Sequence, residues 1–229
     1  MKDIRDLKNI HKGKECVIIG NGTSLTESVI NKIKDKKTIG CNGIIFAKDK
    51  WGFVPDYITM SDKYWLKPEI WSKFEKSEST IVMSRFILED MANYHMPIEI
   101  EQMAFLDDNV YMVNAINTPV IGNDRLKSFK DISFDLSKGT YVCGTVIQDI
   151  SIPLSVWLGF KTIYLVGCDC SLDGHWYGGP GGGIGIRKQL QYKLFRKRLD
   201  ELGIDIYNLS PIPDSCPGLK KRGIDDIHI

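Results

Sequence analysis

One stretch concentrates reactive side chains: Val166-Gly167-Cys168-Asp169-Cys170-Ser171-Leu172-Asp173-Gly174-His175-Trp176-Tyr177. It sets a carboxylate, Asp169, a histidine and two aromatics directly before a run of glycines, Gly178-Gly179-Pro180-Gly181-Gly182-Gly183-Ile184-Gly185. Histidine is the side chain that most readily takes a proton near neutral pH, and the Tyr177 hydroxyl can hydrogen-bond a phosphate. Two other readings stay open. Cys168, Cys170 and His175 are zinc-type ligands, although a single Cys-x-Cys lacks the second pair that structural zinc sites use. A surface loop with a solvated histidine needs no ligand at all.

A second candidate is Gly20-Asn21-Gly22-Thr23-Ser24-Leu25, where an apolar run meets a helical stretch. Glycines let the backbone approach a ligand, and a helix N-terminus offers N–H groups to an anion. Ser24 with Glu27 fits a capping box, so a tight turn with a cap explains the same residues. Leu25 stands where the dinucleotide fingerprint needs its third glycine, and a Walker lysine is absent. Asn42, in Gly40-Cys41-Asn42-Gly43, replaces the acid that would hold a ribose. Its amide offers both donor and acceptor to a base or ribose, or simply forms an Asn-Gly turn. Ser61 and Asp62 end a third apolar run, where they contact a nucleotide or cap the next helix. Gly144 and Thr145 are further expected ligand-contacting residues, and Asp169 and His175 the expected catalytic ones.

These residues need a scaffold that brings strand ends together. Short apolar runs predict strands at Cys16–Ile19, Thr38–Cys41, Tyr57–Met60, Thr80–Met83, Val110–Val113, Thr162–Val166 and Ile204–Tyr207. Runs apolar on both faces suit a parallel sheet covered by helices. Helical stripes lie between them, at Leu25–Ile33 and at Arg187–Leu202, the latter with Leu190, Leu194, Leu199 and Leu202 inward. Val146–Leu158 is apolar almost all round and reads as a buried helix kinked or started by Pro153. The pattern predicts one α/β domain over residues 1–229, a doubly wound and mostly parallel sheet. Such sheets bind ligands outside the carboxyl ends of their strands. A glycine-rich lid over 168–186 would cover that edge, and 86–138 reads as an irregular insert.

Composition narrows the function. The 229 residues carry 30 Lys and Arg against 29 Asp and Glu, a net charge of +1, so no global field argues for nucleic acid or membrane surfaces. No apolar run approaches the roughly 18 residues that span a bilayer. The charged opening MKDIRDLKNIHKGKE has no signal-peptide core. Six cysteines then read as reduced thiols of a cytoplasmic protein. No Asp-x-Asp metal clamp and no Gly-x-Ser-x-Gly elbow occur.

Cys16–Leu25 resembles the Gly-Asn-Gly-Pro-Ser-Leu opening shared by two related groups. One comprises the 6-hydroxymethylpterin pyrophosphokinase (MptE)-like proteins and the motility accessory factors that glycosylate flagellin. The other comprises the bacterial lipooligosaccharide sialyltransferases. Gly40-Cys41-Asn42-Gly43, the stretch from Leu158 to Asp169, and Ile206-Tyr207-Asn208-Leu209-Ser210 are similar to their later signatures. The resemblance implies a Rossmann-like nucleotide-binding domain with its ligand over Asn21, Gly22, Ser24 and Asn42. From the sialyltransferases it implies metal-independent transfer from a nucleotide-sugar, with a lid histidine as base, here His175, and Tyr177 on a phosphate. Thr23 replaces the usual proline, and His175 lies near the start of the lid rather than its end.

The expected function is therefore a glycosyltransferase with a nucleotide-sugar donor and a glycan or small-molecule acceptor, in polysaccharide biosynthesis or flagellin glycosylation. It would need no cofactor. His175 would deprotonate the acceptor while glycine-loop N–H groups and Tyr177 steady the leaving phosphate. The alternative is a pyrophosphokinase moving diphosphate from ATP, with Mg2+ on Asp62, Asp169 and Asp173. A third reading is a nucleotide-binding protein without catalysis.

Overall fold

The computed structural model describes residues 2–85, 109–114, 129–140, 145–171, 173–179 and 186–227. Eight parallel strands form one sheet: β1 (Glu15–Ile19), β2 (Thr38–Cys41), β3 (Tyr57–Met60), β4 (Thr80–Ser84), β5 (Val110–Val113), β6 (Thr162–Val166), β7 (Asp205–Asn208) and β8 (Lys220–Lys221). Their order is β5-β4-β3-β2-β1-β6-β7-β8, and every pairing is parallel. The chain winds outward in one direction from β1 to β5, then returns to add β6 on the other side of β1. That reversal opens a crevice at the carboxyl ends of β1, β2 and β6.

Successive side chains of a strand point to opposite faces, and both faces here are covered. Cys16 and Ile18 enter one core and Val17 and Ile19 the other, all within 1% of complete burial. The first core is closed by α4 (Ile152–Trp157) and α5 (Ile186–Glu201), through Leu154, Trp157, Tyr192, Phe195 and Leu199. On the second face lie α1 (Glu27–Ile33), α2 (Ala47–Trp51) and α3 (Pro68–Glu75), contributing Ile30, Ile33, Ala47, Ile70, Trp71 and Phe74. Each fully buried aliphatic side chain of this kind contributes about 1.5–3 kcal/mol.

Three local expectations change. The apolar stretch before Leu158 is not one α-helix: a π-helical turn spans Ile147–Ser151 and α4 begins after it. Pro153 lies in the first turn of α4 and has no N–H for the Asp149 carbonyl four residues back. The Thr140 hydroxyl donates to that carbonyl instead. In α5, Leu202 is 39% exposed because the helix has ended and Gly203 turns the chain at φ 64°. Tyr192 and Phe195 fill the inward stripe beside Leu199, while the Leu190 side chain lies outside the described residues. The Ser24–Glu27 capping box does not form. Thr26 caps α1, its Oγ1 accepting from Val29 N at 3.4 Å.

Most of the expected insert, with Tyr94, His95 and Arg125, lies outside the described residues, as do Gly144 and residues 180–185 of the expected lid. Among the described residues no helix is long and apolar enough to cross a membrane.

Candidate functional site

Register places Ile19 level with Gly40 and Val166, so the loops after β1, β2 and β6 leave the sheet side by side. They enclose a pocket of about 630 Å3, its open mouth included. Gly20, Asn21 and Gly22 form one wall, Cys41 and Asn42 a second, and Gly167 to Ser171 with Gly174 and His175 a third. Val146 and Ile147, at the π-turn, add an apolar wall, and Tyr192 reaches in from α5. The π-turn is pinned to the sheet by Ser151 Oγ, 2.7 Å from Thr59 Oγ1.

The glycine loop is held from beneath by Asp169, only 3% exposed. Ser24 N and Ser24 Oγ donate to its two oxygens at 2.8 and 2.5 Å, and Ser210 Oγ donates at 2.6 Å. Gly22 packs directly on this carboxylate, where any Cβ would collide with it. This geometry makes Asp169 a clamp that shapes the loop. The loop's amides are also engaged: Gly20 N donates to Val166 O and Gly22 N to Gly167 O, both at 2.8 Å. With Ser24 N on Asp169, three of the N–H groups expected to steady a phosphate are used internally.

Asn21 is 8% exposed and ties the walls together. Its Nδ2 donates to Cys41 O at 2.9 Å, and its Oδ1 accepts from Trp176 Nε1 at 3.3 Å. Its carbonyl accepts from Trp176 N at 3.2 Å and faces His175 Nδ1 at 3.2 Å. A carbonyl only accepts, so Nδ1 carries a proton, and the neutral tautomer that fits this contact has its lone pair on Nε2. His175 also stacks on Tyr177, with ring centroids 5.1 Å apart and planes at 23°.

Tyr177 stands behind His175 rather than in the pocket wall. It packs against Phe46 and Trp176 and lies over Gly43, where a side chain would strike its ring. Burial pushes its hydroxyl pKa well up, so it stays protonated. Burial likewise raises the Cys41 thiol to about 12.

Asn42 adopts the left-handed region at φ 47°, which asparagine tolerates better than most residues. Its Oδ1 is buried and lacks a partner, as does Ser171 Oγ. Tyr192 Oη is a third such atom, close to the Cys216 thiol. All three residues line the pocket. Buried polar atoms without partners are costly, and a bound polar ligand would satisfy them. Ser171 and Tyr192 were not among the candidates read from the sequence. Ser171 sat inside the reactive stretch, whereas Tyr192 had no signal beyond falling within the expected helix Arg187–Leu202.

The remaining candidates lie apart. Thr23 is exposed. Ser61 and Asp62 sit outside the pocket, and Asp62 caps the turn at Lys63–Leu66 by accepting from Tyr64 N at 2.8 Å. Thr145 Oγ1 donates to Gln148 Oε1 at 2.8 Å at the start of the π-turn. Among the described residues no three His, Cys, Asp or Glu side chains come together as metal ligands.

The family model described as 6-hydroxymethylpterin diphosphokinase MptE-like matches residues 1–174. Among solved structures, the chain is similar to the MAf glycosyltransferase of Magnetospirillum magneticum AMB-1. The TM-score is 0.53 at 12% identity, covering 99% of this chain but 38% of that one. It is also similar to the sialyltransferase CstII of Campylobacter jejuni, solved with the substrate analogue CMP-3FNeuAc. There the TM-score is 0.54 at 16% identity, over 94% of this chain and 89% of that one. At these identities the likeness establishes the Rossmann-like fold. No curated protein matches the chain.

Proposed function

Because the chain belongs to the 6-hydroxymethylpterin diphosphokinase MptE-like family, we propose that it is a transferase, and specifically one that moves a sugar from a nucleotide-sugar donor. The observation that carries this reading is His175 at the pocket edge, its Nδ1 held by the Asn21 carbonyl at 3.2 Å. Nε2 of the neutral ring then takes the proton of an acceptor hydroxyl as that oxygen attacks the anomeric carbon. The nucleotide occupies the crevice beside Asn42, whose unpartnered Oδ1 accepts a hydrogen bond from it. Asp169 and Asn21 act by holding the two loops in place. The acceptor is a glycan or small molecule of surface-polysaccharide or flagellin glycosylation, and the protein works in the cytoplasm.

A second reading, diphosphate transfer from ATP, follows the family's description. It requires magnesium on carboxylates, and among the described residues Asp62, Asp169 and Asp173 do not gather into a set of three metal-type ligands. The Asp169 oxygens accept from Ser24 and Ser210, and Asp62 caps a helical turn outside the pocket lining.

The test incubates the chain with a panel of nucleotide-sugars and an oligosaccharide mixture in EDTA, and measures free nucleotide by chromatography. Release that depends on acceptor supports sugar transfer. Diphosphate transfer from ATP, seen only with magnesium, would replace it.

A further inference from the structure

The pocket floor holds thiol chemistry that neither sugar transfer nor diphosphate transfer uses. Cys170, in the wall after β6, and Cys216, in the turn after β7, bring their sulfurs to 3.7 Å across 46 residues of chain. Both backbones are left-handed, at φ 57° and 48°, a region that cysteine seldom enters. Such conformations persist only where the surroundings impose them. Here the Asn208 amide and the Lys221 ammonium impose one of them: Asn208 Nδ2 donates to Ser215 O at 2.7 Å, and Lys221 Nζ to Ser215 Oγ at 3.2 Å.

The two thiols have unequal surroundings. Cys216 is 1% exposed, and burial raises its pKa well above that of a free thiol. Cys170 is half-buried on the pocket side, and the hydrogen bond from Cys216 lowers its pKa. Of the two sulfurs in contact, the accessible one, Cys170, is therefore the more thiolate-like. An accessible thiolate in contact with a buried thiol is the arrangement of an attacking and a resolving cysteine.

We propose that Cys170 and Cys216 form a modification site that reacts with hydrogen peroxide to give an intramolecular disulfide. In the first step the Cys170 thiolate attacks one peroxide oxygen. The O–O bond breaks, Cys170 becomes a sulfenic acid, and the departing hydroxide takes a proton to leave as water. In the second step the Cys216 sulfur attacks the Cys170 sulfur. The S–O bond breaks, the Cys216 thiol proton leaves with that oxygen, and a second water departs. The two thiols are oxidised by two electrons in all, and the peroxide is reduced. The product ties the pocket wall to the turn after β7, next to the loop that carries His175.

The test treats the reduced full-length chain with hydrogen peroxide, blocks remaining thiols, and cleaves on the N-terminal side of aspartates without reduction. Cleavage at Asp169 separates Cys168 from Cys170. The expected product joins residues 169–172 to 214–224, lighter by two hydrogens than the sum of the two peptides. In Cys216→Ser, the same treatment should leave a Cys170 sulfenic acid that dimedone captures. Should that variant not fold, the wild-type peptide map decides alone. Absence of the 170–216 linkage in the wild type, or a predominant linkage through Cys168, would overturn the proposal.

Discussion

The carbonyl of Asn21 receives the Nδ1 proton of His175 across 3.2 Å, joining the loop after β1 to the segment after β6. One contact thereby sets both the tautomer and the place of the imidazole. The same Asn21 binds Trp176 through its side chain and its carbonyl, so the histidine's neighbour is fixed with it.

Replacing His175 by alanine should remove the base and leave the pocket. Turnover of a nucleotide-sugar is expected to fall about 10²–10⁴-fold, the usual contribution of general-base catalysis, with KM for the donor little changed. Steady-state kinetics on the two proteins separates these quantities. An equal rise in KM would assign His175 to binding.

Asn42→Gly keeps the left-handed backbone and deletes the amide. Stability should therefore change little, because glycine adopts a φ of 47° without strain. Affinity for the nucleotide should fall about tenfold, close to 1.4 kcal/mol for one lost hydrogen bond. Isothermal titration calorimetry measures it.

Asp169→Ala should destabilise the fold. It removes three hydrogen bonds to a buried carboxylate and frees the Ser24 amide and the Ser210 hydroxyl. A loss of about 3 kcal/mol is expected, or a Tm lower by about 6–12 °C in a domain of this size. Thermal denaturation followed by circular dichroism checks this. An unchanged Tm would mean that the clamp is not formed.

These residues also mark what a sequence can reveal. The alternation of Cys16, Val17, Ile18 and Ile19 showed a strand covered on both faces, and Gly20 and Gly167 marked where β1 and β6 end. The places of Asn42 and His175 on the pocket wall were legible because their types suit a ligand and their runs end at the sheet's carboxyl edge. The role of Asp169 was not, since its partners Ser24 and Ser210 are 145 and 41 residues away. Ser24 followed by Glu27 matched a local cap, and the tertiary bond to Asp169 won. Tyr192 reads as one more apolar helix position until the fold sets it beside the pocket.

Stability should also depend on pH through His11, at the opposite end of the sheet. Its Nε2 lies 2.8 Å from the Tyr57 hydroxyl, its ring stacks on Phe160, and its Nδ1 has no partner. Burial, then the charges of Lys37 and Lys14, hold its pKa below that of an ordinary histidine. The folded ring therefore resists protonation while the unfolded one accepts a proton near pH 6.5. Its contribution is complete above about pH 6.5 and is lost as pH falls toward the folded value. Urea midpoints of the wild type and His11→Asn should accordingly converge between pH 8 and pH 5. A constant gap would contradict this assignment.

The most direct measurement is the Tm of the full chain with CMP, CDP, UDP, GDP, ADP and ATP, each in EDTA and in magnesium. Transfer from a nucleotide-sugar predicts that one nucleoside mono- or diphosphate raises Tm in EDTA. At a hundredfold excess over Kd the linkage gain is about 2.7 kcal/mol, or roughly 5–10 °C. The same nucleotide should shift Asn42→Gly less. Stabilisation by ATP with magnesium alone, or by no nucleotide at all, would contradict it.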